Sequence, residues 1–111
     1  MKEDRDPLHL ERIIEAIDKV KEYVDGFSFE DFVKDEKTYD ASLMQIENIG
    51  EMIARMSERF KEKYTDLPWH QVIGIRNQIA HGYFDIQPKI IWQTIKEDLP
   101  ELKSKVEKIL E

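Results

Sequence analysis

Cysteine is absent from this 111-residue chain, which excludes disulfides and metal sites built on thiolates. No run approaches the eighteen or more apolar residues of a membrane helix. The opening residues, "MKEDRDP", lack the apolar stretch of a secretory leader, so the expected location is the cytoplasm. Glycine and proline are scarce, four of each. They are scattered punctuation rather than a linker, and no internal repeat or low-complexity tract is present. The three histidines, His9, His70 and His81, offer no i, i+4 pair for a helical metal site. H-E-x-x-H, a P-loop and a Gly-rich dinucleotide fingerprint are all missing. No serine stands in a nucleophile-elbow context, so with cysteine absent a covalent acyl intermediate has little support. Neither metal nor cofactor is expected.

What is present is an apolar fraction of 41% interleaved with 37% charged residues, the mixture of amphipathic helices with ion-laced outer faces. The length suits one domain spanning residues 1–111. Formal net charge is −7, a poor match to a protein that coats long nucleic acids with spread-out Lys and Arg. The charge is uneven, however. From Leu67 to Lys96 it sums to +2, which leaves −9 on the remainder.

Apolar spacing predicts helices throughout. Asp6 can cap a first helix with Pro7 at its first position, and Leu10, Ile13, Ile14, Ile17, Val20 and Val24 follow at three- and four-residue steps until Gly26. Ser28 and Asp31 read as a capping box opening a short helix with Phe29 and Phe32. A second long helix is expected from about Tyr39 to Phe60, seamed by Leu43, Ile46, Gly50, Ile53, Ser57 and Phe60. Glycine inside a helix costs about 1 kcal/mol relative to alanine, so Gly50 points to a close approach by another backbone. Pro68 suits the start of a third helix that Gly82 ends in a left-handed conformation. A fourth begins near Pro88, and Pro100 either kinks the chain or opens a last helix. No period-two pattern competes. The expected fold is an all-α, up-and-down antiparallel bundle of four to five helices.

One segment asks for more than structure. "RNQIAHGY", Arg76 to Tyr83, sets Arg, Asn, His and Tyr beside a helix-ending glycine. Imidazole gives or takes a proton near neutrality, and guanidinium is a permanent cation with paired donors for phosphate oxygens. Together they suit cleavage of RNA. The 2′-hydroxyl is an internal nucleophile, so the enzyme must supply proton transfer and positive charge but no metal-bound water. His81 and Arg76 are the candidates for those functions. Asn77 lies four residues before His81 on the same helix face, placed to orient the imidazole or hold a phosphate oxygen. Arg76 and His81 are five residues apart, roughly 140° around a regular helix at about 100° per residue. Either the helix unwinds before Gly82, or Arg of one chain meets His of another across a two-fold axis. The second is favoured because Met44, Ile49, Met52 and Met56 flank the main seam of the second long helix as apolar material for a partner. A purely structural reading stands beside these: a histidine set against the helix dipole, an arginine on a surface carboxylate, a tyrosine plugging the core.

"RNQIAHGY", "ENIGEMI" and "LPWHQVIGIRN" together resemble HepT-like proteins of the HEPN superfamily, whose signature is Arg-x-x-x-x-His-x-Tyr. The resemblance covers nearly the whole chain and departs at Met52, where many relatives have alanine. It implies a homodimeric helical bundle acting as a metal-independent endoribonuclease toxin, with Arg76 and His81 catalytic and Asn77 the polar residue beside the arginine. It also implies a nucleotidyltransferase antitoxin that transfers AMP onto Tyr83. The alternative within that resemblance is a non-catalytic HEPN subunit that binds, or is a substrate of, a minimal nucleotidyltransferase.

Overall fold

The structure, a computed structural model, describes residues 2–82 and 86–111. Among them no strand occurs, and the architecture is the expected all-α bundle. Its long rods are α1 (Lys2–Tyr23), α3 (Glu36–Ala54), α5 (Trp69–Gly82) and a composite C-terminal rod. Two short helices, α2 (Phe29–Lys34) and α4 (Glu58–Lys63), join the first three. The composite rod is α6 (Pro88–Gln93), a π turn (Thr94–Asp98) and α7 (Leu99–Leu110).

The rods run antiparallel. Asp6 near the start of α1 bonds Ser57 just beyond the end of α3, and Leu10 shares a groove with Ile109 and Leu110 at the end of α7. At the other end Val20 and Val24 face Leu99 and Pro100. The apolar stripes predicted from spacing meet in the middle: Leu10, Ile13, Ile17 and Val20 of α1, and Val24 just beyond its end, are buried with Leu43, Ile46 and Ile53 of α3. Gly26, at φ 75°, turns the chain after α1 in the left-handed region that glycine alone enters freely. The Ser28–Asp31 capping box then opens α2 with both reciprocal bonds made. Phe32, fully buried, lies 5.1 Å from Trp92 and 5.2 Å from Tyr39 between ring centroids, which docks α2 on α6 and α3.

Three expectations need correction. Asp6 does not cap α1, which begins at Lys2 and carries Pro7 inside it. Its buried carboxylate instead accepts from the N–H and hydroxyl of Ser57 at 3.1 and 2.7 Å. The helix expected to reach Phe60 stops at Ala54, because Ser57 has left helical geometry and caps α4, its Oγ accepting from Phe60 N at 3.1 Å. Ile49 and Met56 are buried core residues, so of the four residues reserved for a partner only Met44 is exposed, with Met52 partly buried. Of the two outcomes expected at Pro100 the second holds: it stands in the first turn of the last helix, α7, which a π turn joins to α6. The Leu99 N–H reaches back five residues to the Thr94 carbonyl, a π turn that opens the ladder just ahead of a residue with no N–H to give.

Candidate functional site

α5 carries the motif and packs on α3 through an unusual fit. A Cβ placed on Gly50 would lie 2.5 Å from Cγ and 2.6 Å from Cβ of Arg76. The absent side chain of Gly50 is therefore the space that the stem of Arg76 fills. A close approach does occur at Gly50, but by the side-chain stem of the motif's arginine rather than by the expected backbone. Beyond the stem, Arg76 Nη2 donates to Glu51 Oε1 in an ion pair, and Nη1 donates to Asn77 Oδ1 at 3.3 Å. Arg76 Nε is buried and has no hydrogen-bond partner. The guanidinium thus leans on α3, with its stem clamped and one edge engaged by a carboxylate. The pair is about one-third exposed on each side, 30% for Arg76 and 36% for Glu51, so a phosphate can still compete for the remaining donors.

α5 stays helical through Gly82, whose φ is 145°. It does not unwind ahead of the glycine, so the roughly 140° between Arg76 and His81 is kept. His81 is exposed in the last turn and faces a groove of about 470 Å³ with Asn77, Gln78, Gln87 and Ile90. Within one chain the structure brings Asn77 and His81 together in that groove and leaves Arg76 outside its described lining, bonded to the Asn77 carboxamide. Tyr83 lies outside the described residues.

Reading the sequence missed four contributors. Glu51 follows Gly50 in "ENIGEMI", and its partnership with Arg76 is invisible until α3 and α5 are docked. Gln87 and Ile90 lie on the next helix, and no spacing rule on α5 could have found them. Gln78 was within reach, three residues before His81 and so on a neighbouring position of the helix surface. Among the described residues no cluster of His, Asp or Glu is gathered to hold a metal, and no helix is long and apolar enough to cross a membrane.

The family model for ribonuclease HepT-like proteins matches residues 13–109, which takes in every site residue named above. A protein of Caldanaerobacter subterraneus subsp. tengcongensis, named as a candidate RNase, is 39% identical over 93% of this chain and 92% of its own. The probable ribonuclease HepT of Thermococcus cleftensis is 38% identical over 91% of this chain and 92% of its own. A longer protein of Methanocaldococcus jannaschii, named as a gamma-glutamylcyclotransferase and candidate RNase, is 33% identical over 94% of this chain and 47% of its own. No solved structure matches the chain significantly.

Proposed function

The chain belongs to the ribonuclease HepT-like family, and from that premise we propose that it is a metal-independent endoribonuclease, the toxin of a toxin–antitoxin pair, working as a single HEPN-like domain over residues 1–111. The observation that carries this reading is the continuity of Arg76, Asn77 and His81. A clamped cation and an exposed imidazole flank one carboxamide at the rim of an open groove. The guanidinium meets the charge that grows on the phosphate oxygens during attack by the 2′-hydroxyl. Imidazole takes the hydroxyl proton or returns one to the leaving 5′-oxygen. Asn77 holds the guanidinium edge. Because α5 keeps Arg76 and His81 apart, the complete site takes its Arg and His from the two chains of a homodimer.

The partner in this reading is a nucleotidyltransferase antitoxin that moves AMP from ATP to the phenolic oxygen of Tyr83, releasing pyrophosphate. The adenylate sets negative charge and bulk two residues from His81 and competes with RNA for Arg76. The cytoplasm is the compartment where such a pair would meet RNA. The engagement of Arg76 by Glu51 favours a second reading, a non-catalytic HEPN subunit that presents itself to the nucleotidyltransferase.

One experiment divides the two. A defined RNA is incubated with EDTA and wild type, Arg76→Ala or His81→Ala, each shown folded by circular dichroism. Cleavage by wild type alone supports the enzyme; equal cutting in all three removes the site assignment, and no cutting by any favours the presenting subunit. With the antitoxin and ATP, wild type should gain the mass of one adenylate while Tyr83→Phe gains none.

A further inference from the structure

The groove that holds His81 has a chemistry of its own. Of its five described lining residues three, Asn77, Gln78 and Gln87, end in primary carboxamides, and among the described lining none is a lysine, arginine or carboxylate. A phosphate-binding cleft collects cations; the described lining of this one presents, beside His81, three neutral groups that each offer a carbonyl acceptor and two N–H donors. Such paired donors and acceptors match the edge of a nucleobase, which carboxamides read bidentately. Ile90, 39% exposed on α6, supplies an apolar surface on which the flat face of a base can rest. The volume, about 470 Å³, falls within the range of small-ligand clefts. Its position is also apt. His81 lines the groove as well, so a base held there has its adjoining linkage within reach of the imidazole.

We propose that this groove is a nucleobase subsite, in which Gln78 and Gln87 read the edge of the base next to the scissile linkage and confer base preference on cleavage. The inference rests on the ribonuclease reading above and adds to it a source of sequence selectivity. Gln78 comes from α5 and Gln87 from the cap position of α6, so the base is held between the two helices whose junction carries His81. Among the described residues neither glutamine side chain makes a structural bond that would confuse the test. Both are exposed, and Gln87 makes no side-chain capping bond to α6.

The test uses a pool of random-sequence RNA cut under single-turnover conditions by wild type, Gln78→Ala and Gln87→Ala, with the cut ends sequenced. Wild type is expected to favour one base at one position adjoining the cut by about tenfold, and each variant to flatten that ratio to within about twofold. A ratio between bases within one tube is not moved by a general loss of folded or active protein. An unchanged preference in both variants, or no preference in wild type, overturns the subsite. Titration with the four nucleoside 3′-monophosphates, followed by NMR, separates this failure from that of the ribonuclease reading. If wild type cuts nothing yet discriminates among the four, and Gln87→Ala does not, the subsite stands without the nuclease. If wild type binds all four alike, the subsite falls whatever is cut.

Discussion

Gly50 shows how much one missing carbon can decide. Alanine is the better helix former there by about 1 kcal/mol, and on an open surface Gly50→Ala would stabilise. Here the new methyl would meet the Cβ and Cγ of Arg76 at 2.5–2.6 Å, atoms next to the α5 backbone that cannot swing aside as a side-chain tip can. Forcing an extra methyl into a packed contact costs about 1–3 kcal/mol, which outweighs the propensity gain. Gly50→Ala should therefore lower stability by about 1 kcal/mol in urea unfolding. It should also cut RNA cleavage more than that loss explains, because Arg76 moves with α5. A stabilised variant would show that the two helices separate freely. His9 is a second residue with a measurable signature. It is buried, its Nδ1 has no hydrogen-bond partner, and burial holds its pKa below 6.5; Arg12, Arg55 and Arg5 push the same way, and Asp6 opposes them. As pH falls through 6.5 the unfolded chain protonates this histidine before the folded one does, so the fold loses stability on the acid side and regains it above. Wild type should lose more stability than His9→Leu between about pH 7.5 and about pH 5, read as the difference in melting temperature. Parallel pH profiles would acquit His9.

At the scale of elements, the turn between α3 and α4 is set by a contact from 51 residues away in sequence. Ser57 caps α4 with its hydroxyl oxygen while its O–H and N–H both donate to Asp6. A carboxylate with two bonds inside the core is worth more than a surface cap, since hydrogen bonds to charged groups contribute about 1.5–3 kcal/mol. Asp6→Ala should cost about that much, and Asp6→Ala with Ser57→Ala should cost less than the two single losses added; strict additivity would mean the pair is not coupled. This contact also explains which parts of the fold were legible. The stripes of α1 and α3, the capping box at Ser28 and the span of α5 follow from spacing and local chemistry, which the sequence carries within a few residues. The break at Ser57 does not, because Ile53, Met56 and Phe60 continue the helical spacing straight across it. Only the docking of α1 gives Ser57 a reason to leave the helix. Glu51 and the glutamine groove were hidden for the same cause: each is a meeting of two helices. Arg76, Asn77 and His81 could be proposed from the sequence because they sit on one.

For the whole molecule the decisive question is whether one chain or two make the site. α5 is regular through Gly82 and holds Arg76 against α3 while His81 faces the groove beside α6, so a single chain presents its cation and its imidazole to different sides of Asn77. If a two-fold pairing supplies each His81 with the partner's arginine, inactive variants must complement. Mix folded Arg76→Ala and His81→Ala proteins and let subunits exchange. Each mixed dimer then has one site lacking both groups and one site with both intact. At equal concentrations half the dimers are mixed, each with one site of two, so cleavage should return to about a quarter of the wild-type rate from two inactive parents. A site contained in one chain gives no such recovery, since every chain in the mixture lacks one group. Repeating the exchange with Arg76→Ala against a doubly substituted Arg76→Ala, His81→Ala chain supplies the control, because no pairing of those two can assemble an arginine with a histidine. Recovery in the first mixture and none in the second would tie the chemistry to the subunit interface, and silence in both would return the site to a single chain.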